Sequence, residues 1–140
     1  MSEEITVKEI MSSPPITVSL EESVIEAARI MAENKIGCVI VVNDEGKPVG
    51  IVTRRDLVEK VLAKAKDPLK TKVKDVMSSP LIYVGPNTPI LEAAKLMSRK
   101  DISHIPVIDA DGLVGVVSDR DILTVAPEYI ELMIVRKGGI

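Results

Sequence analysis

Two hydroxyl-carboxylate pairs are the side chains whose types and spacing could do chemistry: Thr53 with Asp56, and Ser118 with Asp121. Each pair closes a similar heptapeptide. One is Gly50-Ile51-Val52-Thr53-Arg54-Arg55-Asp56, the other Gly115-Val116-Val117-Ser118-Asp119-Arg120-Asp121. A short apolar run that ends in a hydroxyl residue, followed three positions later by a carboxylate, is the pattern of a strand running into a helix start. A carboxylate at that corner has two uses. It can serve its own backbone in a Ser/Thr-x-x-Asp/Glu capping box and bind nothing else, or it can turn toward a ligand. The two uses are partly compatible, because helix-start groups can face outward.

The other reactive side chains point away from catalysis. The sequence has no Gly-rich phosphate loop with Lys and no nucleophile elbow, and its single Cys38 and single His104 have no evident acid-base partner. One cysteine excludes an internal disulfide, and Cys38 with His104 alone does not make a protein-only metal site. The plain reading of these two residues is a buried thiol and a strand-end histidine.

The elements that position the pairs are themselves duplicated. With Val7 set against Val73 and a constant offset of 66, the stretch to Gly46/Gly112 has 15 identities in 40 columns. These include Met11/Met77, Ser12/Ser78, Pro14/Pro80, Ala27/Ala93 and Met31/Met97. Omitting Lys47 restores register and adds 5 identities in the ten columns from Pro48/Leu113 to Leu57/Ile122. Cys38 and His104 fall at equivalent positions, since 38 plus 66 is 104. A repeat of roughly 55 residues buries too little surface to be stable alone, so the two copies are expected to share one core.

Composition narrows the setting. Hydrophobic residues make up 46% of the 140, and the only aromatics are Tyr83 and Tyr129, so Val, Ile, Leu, Ala and Met must fill the core. A net charge of -3, from 18 basic and 21 acidic residues interspersed along the chain, gives no broad basic surface for duplex nucleic acid or anionic lipid. The absence of Phe and Trp removes the usual base-stacking platforms. No apolar run approaches the roughly 20 residues of a membrane span, and the stretch from Met1 to Thr6 is too acidic to open a signal peptide. The expectation is a cytoplasmic protein that engages no membrane, with nucleic acid binding kept only as an alternative.

Each copy reads as β-α-β-β-α. After a lead-in turn from Ile5 to Met11, Pro14 and Pro15 force extended geometry into a strand Ile16-Thr17-Val18. Ser19 with Glu22 suits a helix start, the apolar stripe Val24, Ala27, Ala28, Met31 follows, and Gly37 is expected to end that helix. Cys38 to Val42 is a buried strand, Asn43 to Gly46 a turn, and Val49 to Val52 the return strand. A second helix is expected from Arg54 to about Ala65 with Leu57, Val58, Val61 and Leu62 inward. Charged, Pro-containing Lys64 to Lys72 is the linker. The second copy repeats the plan: strand Leu81 to Val84, helix Thr88 to Lys100, strands His104 to Ile108 and Leu113 to Ser118, and helix Asp119 to Ala126, stopped by Pro127. This divides the chain into repeat 1 at 1–66, linker and repeat 2 at 67–126, and a tail at 127–140. The tail's Ile130, Leu132, Met133, Ile134 and Val135 should pack on the core or on a partner chain, while Arg136 and Lys137 should be solvated.

From the Lys8-Glu9-Ile10-Met11 lead-in to Ala126, the sequence resembles the tandem CBS pair, or Bateman module. The resemblance rests on Gly-h-h-Thr/Ser-x-x-Asp (h, apolar) in both copies and on Ile102-Ser103-His104-Ile105-Pro106-Val107 in the second. It implies an α+β fold in which two repeats pair by pseudo-twofold symmetry, sheets together and helices outside, with clefts for adenosine-type ligands. AMP, ADP or ATP is the implied regulatory ligand, with S-adenosylmethionine or NAD as alternatives. The implied role is an energy- or metabolite-sensing module that reports to an effector protein, commonly as a homodimer. Exposed Val58 and Leu62, or Leu123 and Val125, would be the dimer surface. A degenerate pair kept only as an interaction scaffold is the competing reading.

The resemblance also assigns residues. Thr53, Asp56, Ser118 and Asp121 would hold the ribose, the carboxylates accepting hydrogen bonds from its 2′- and 3′-hydroxyls. Arg54, Arg55 and Arg120 would face phosphate at the helix starts. Adenine would lie among Ile16, Thr17, Cys38 and Val39 in one copy and Ile82, Tyr83, His104, Ile105 and Pro106 in the other. The copies differ in detail. Ile40 stands where the second has Pro106, and Arg54 where the second has Asp119, so the hydroxyl-to-carboxylate segments carry +1 and -1.

Overall fold

A computed structural model describes residues 4–135, so Arg136 and Lys137 lie outside the described residues. Backbone contacts divide the chain into two units: residues 16–81, and residues 1–15 together with 82–140. This division does not follow the contiguous repeats, because each lead-in folds with the other copy.

The unit of residues 16–81 is built on a three-stranded sheet. Strand β1 (Thr17–Ser19) runs parallel to β2 (Cys38–Val42), and β2 runs antiparallel to β3 (Pro48–Thr53). The apolar run at β2 is what a strand covered on both sides requires, and Cys38 through Val41 are all buried. Asn43 makes the hairpin turn, its Oδ1 accepting from the N–H groups of Glu45 and Lys47 at 2.9 and 3.0 Å. Helix α2 (Val24–Asn34) lays Val24, Ala27 and Met31 into a cluster with Val39, Val41 and Val52.

In the other unit, β4 (His104–Asp109) and β5 (Gly112–Ser118) form the antiparallel hairpin. Helix α5 (Ile90–Lys100) packs Ala93, Ala94 and Met97 against Ile105, Val107 and Val117. Helix α6 (Asp119–Val125) adds Ile122, and a 3-10 turn at Pro127–Tyr129 follows it. The tail continues as a π-helical stretch, Glu131–Val135, that buries Met133 in the same core. Its apolar character therefore has an intramolecular explanation.

The lead-ins are short helices, α1 (Val7–Ile10) and α4 (Val73–Val76), followed by extended chain. Val7 is buried in the core built around α5, and Val73 and Val76 in the core built around α2. Ser78 pairs with Ile51 of β3, its N–H donating to the Ile51 carbonyl at 2.9 Å and its carbonyl accepting at 3.2 Å. Ser12 pairs in the same way with Val116 of β5, at 2.9 and 3.1 Å. Lys72 and Lys74 also ion-pair with Glu21 at 2.6 and 2.8 Å, and these contacts hold the Glu21 carboxyl down to about 2.

Several expected boundaries moved. Ser23, not Ser19, caps α2, its Oγ accepting from Glu26 N–H at 3.2 Å; Ser19 instead shapes the preceding turn through Glu21 N–H. The helix ends before Gly37, because Lys35 takes the left-handed cap conformation at φ 55°, as Asp101 does after α5 at φ 54°. Helix α5 starts at Ile90 rather than Thr88, with Pro89 as its cap. Leu81 to Val84 is not a strand: only Val84 bridges to β4, at Val107. The helix after β3 is α-helical only over α3 (Arg54–Asp56) and continues as a π-helical stretch, Leu57–Leu62. Of its expected inward residues Val61 is buried, whereas Val58 and Leu62 are 56% and 69% exposed.

The glycine that opens each heptapeptide is explained by the lead-in pairing. A Cβ on Gly50 would stand 2.5 Å from Met77 Sδ and 3.1 Å from the Ser78 carbonyl oxygen. On Gly115 it would stand 2.5 Å from Met11 Sδ and 2.9 Å from the Ser12 carbonyl oxygen. A methionine side chain can swing aside, but a paired backbone carbonyl cannot. Gly50→Ala and Gly115→Ala should each lower unfolding free energy by about 1–3 kcal/mol. Gly115→Ala should cost the more, and urea denaturation of the two variants checks both size and order.

Candidate functional site

In each unit the outer hairpin strand delivers the hydroxyl residue to a corner. Thr53 lies opposite Cys38, and Ser118 opposite His104. The next N–H ties the corner to the neighbouring strand's entry: Arg54 N–H donates to the Gly37 carbonyl at 3.1 Å and Asp119 N–H to the Ser103 carbonyl at 2.9 Å. Hydroxyl and carboxylate then exchange hydrogen bonds across the first helical turn. Thr53 N–H donates to Asp56 Oδ2 at 2.9 Å, and Asp56 N–H donates to Thr53 Oγ1 at 3.2 Å. Ser118 N–H donates to Asp121 Oδ2 at 2.8 Å, and Asp121 N–H donates to Ser118 Oγ at 3.0 Å. Both pairs are capping boxes.

A cap employs one carboxylate oxygen, and the copies differ at the other. Asp56, 7% exposed, has Oδ1 3.0 Å from Lys60 Nζ, and the same ammonium donates to the carbonyl of Val76 at 2.9 Å. Beside it, Arg55 Nε pairs with Glu59 at 3.2 Å. Four positions beyond Arg120 and Asp121 stand Thr124 and Val125, neither of them ionic. Thr124 donates to the backbone carbonyl of Arg120 at 2.7 Å. Among the described residues Asp121 makes no hydrogen bond or ion pair beyond its cap, and exposed Arg120 has no carboxylate partner. Lys60 and Glu59 were not among the residues expected to matter, although their spacing of four from Asp56 and Arg55 on one helix was a usable signal.

The remaining candidates gather by copy. Ile16, Thr17, Cys38 and Val39 share a unit with Thr53 to Asp56, with Thr17 in register with Ile40 and the Ile16 carbonyl accepting from Ile40 N–H at 3.1 Å. Ile82, Tyr83, His104, Ile105 and Pro106 share the other with Ser118 to Asp121, where Val84 N–H donates to the Pro106 carbonyl at 3.1 Å. The side chains of Val39 and Ile105 belong to the two cores and have no exposure, which leaves only their backbone for any ligand. Tyr83 is 57% exposed. Among the described residues no group of three or more His, Cys, Asp or Glu could hold a metal ion, and no helix is long and apolar enough to cross a membrane.

The CBS domain model matches twice, at residues 7–63 and 73–128, and the chain belongs to the CBS-domain family. As a tandem CBS pair it falls in the class of regulatory ligand-binding modules. It is 41% identical to the protein MK0525 of Methanopyrus kandleri over 88% of this chain and 63% of that one, so it spans less than two thirds of that relative. It is 33% identical to the CBS domain-containing protein YhcV of Bacillus subtilis, over 84% of this chain and 82% of YhcV. Among solved structures, the CBS domain pair of protein MJ0100, in complex with 5′-methylthioadenosine and S-adenosyl-L-methionine, matches with a TM-score of 0.79. That match is at 33% identity and covers 89% of this chain and 98% of that one.

Cys38 sits at the corner with Thr53, and its chemistry follows from burial. Burial pushes its thiol from 9.0 up to about 12, against a smaller opposing pull from the Arg54 guanidinium. The folded chain holds this proton while the unfolded chain releases it, so stability should fall between about pH 9 and pH 12, by at most about 1.4 kcal/mol per pH unit from this group. Cys38→Val should flatten that part of the decline in denaturation series across pH. Native protein should also resist iodoacetamide at pH 8 until it is unfolded.

Proposed function

We propose that this CBS pair is a non-catalytic regulatory module that binds an adenosine-type ligand through the Ser118-Asp121 corner. The observation that carries the reading is the state of Asp121: one oxygen completes the cap, and the other accepts from no group among the described residues. A carboxylate oriented in this way can accept from a ribose 2′- or 3′-hydroxyl without giving up its structural role. Arg120, exposed and with no carboxylate partner among the described residues, would meet a phosphate or a ligand carboxylate as a planar fork. Ser118 would contribute its hydroxyl, and Ile82, Tyr83, His104, Ile105 and Pro106 would supply the adenine surroundings. The likeness to the MJ0100 pair favours adenosine chemistry as the class and adds 5′-methylthioadenosine to AMP, ADP, ATP, S-adenosylmethionine and NAD as candidates.

A signal from such a module passes to a separate effector protein or through self-association. Exposed apolar Val58 and Leu62 in one unit, or exposed Val125 with half-buried Leu123 in the other, are the surface we assign to a homodimer. A ligand shifts association only by as much as it binds one state better than the other.

A thermal-shift screen over AMP, ADP, ATP, NAD, S-adenosylmethionine and 5′-methylthioadenosine should raise the melting temperature for at least one of them. Asp121→Ala should weaken that ligand about 10- to 100-fold, the loss of charge-assisted hydrogen bonds to the sugar. Unchanged affinity in Asp121→Ala, or no shift with any adenosine compound, would favour the scaffold reading.

A further inference from the structure

The two corners share one sequence motif, yet their carboxylates are in different chemical states. Both oxygens of Asp56 are engaged: Oδ2 accepts from both the N–H and the hydroxyl of Thr53, at 2.9 and 3.2 Å, and Oδ1 lies 3.0 Å from the Lys60 ammonium. That ammonium also donates to the Val76 carbonyl at 2.9 Å, so it has two protein partners. Freeing Oδ1 would break the ion pair and leave a carboxylate only 7% exposed without its counter-charge. A sugar diol offers neutral hydroxyls, which are weaker partners than the ammonium they would displace. Among the described residues Asp121 has no such occupant, and Val125 stands where Lys60 would be.

We infer that Lys60 acts as an internal stand-in for ligand at the first corner, so the chain binds one adenosine-type molecule, at the Ser118-Asp121 corner, rather than two. The inference rests on the proposed ligand class but makes its own claim about number and place. Lys60 is thereby a specificity-determining residue: in the first copy the motif is retained for its cap and for tying Asp56 to the lead-in helix α4 (Val73–Val76). Glu59 assists by pairing Arg55, whereas Arg54 keeps no carboxylate partner among the described residues. The first corner therefore still has a cation for an anion but no open carboxylate for a diol.

Isothermal titration calorimetry on the full chain with 5′-methylthioadenosine and with AMP tests this, together with three variants. Wild type should bind one equivalent per chain, Asp56→Ala should keep that affinity within about threefold while melting lower, and Asp121→Ala should lose it. Lys60→Met, which keeps the aliphatic stem and removes the charge, should gain a second, weaker equivalent, and the double variant Glu59→Thr, Lys60→Val should do the same with the second copy's own residues. Two comparable equivalents in wild type, or binding lost in Asp56→Ala and kept in Asp121→Ala, would overturn the inference while leaving the ligand class standing. Folded Lys60→Met and double variants that still bind a single equivalent would remove Lys60 as the cause. No heat with either ligand in wild type or any variant would defeat the adenosine reading and this inference with it.

Discussion

The exchange of hydrogen bonds between a hydroxyl residue and the aspartate three positions on is the interaction around which the rest of the chain is arranged. It satisfies N–H groups that a helix start leaves without partners, and so allows the outer hairpin strand to turn into a helix within one residue. It also fixes the carboxylate's direction. A carboxylate has two oxygens and about four acceptor positions, so a cap that uses one oxygen leaves chemistry available at the other. Structural and ligand-binding uses of the motif are therefore successive claims on one group, and the next residue in range settles the second claim. At Asp56 that residue is Lys60; at Asp121 nothing within the described residues makes it.

The corner depends in turn on the glycine three positions before each hydroxyl residue. Because Gly50 and Gly115 present no Cβ, the Met-Ser lead-in approaches the outer strand closely enough to pair with it. The lead-in that pairs is the one belonging to the other sequence copy, so each compact unit takes a segment from the far side of the repeat boundary. The expected single shared core is therefore replaced by two clusters, each completed by a segment of the other copy, which is how a repeat too small to bury a core of its own is supplied with one. Residues outside the two heptapeptides, Val7 in one unit and Val73 with Val76 in the other, complete the cores beneath them.

Much of this was legible in the sequence because it is local. The continuous apolar run of β2, the Asn43 turn and the Ser/Thr-x-x-Asp starts all write their physics into adjacent residues, and the duplication read each of them twice. Where two local signals competed, sequence reasoning chose wrongly: Ser19-x-x-Glu22 and Ser23-x-x-Glu26 have the same form, and it is Ser23, bridged to Lys72, that caps the helix. Leu81 to Val84 looked like its counterpart around Thr17 but forms a single bridge, since pairing is decided by the neighbouring strand and not by propensity. Which lead-in serves which hairpin was not readable at all, because the two lead-ins are nearly the same sequence and the choice is tertiary. The spacing of four between Asp56 and Lys60 was readable, but Lys60 carries no ligand-facing signature because its ammonium pairs with the carboxylate itself.

The account is tested most directly by the structure of the full chain crystallised with 5′-methylthioadenosine, with the ribose located in density. It predicts the diol within hydrogen-bond distance, about 2.5–3.0 Å, of Asp121, with the Asp56 to Lys60 pair intact. A diol on Asp56 with Lys60 displaced, or a ligand that touches neither aspartate, would contradict it.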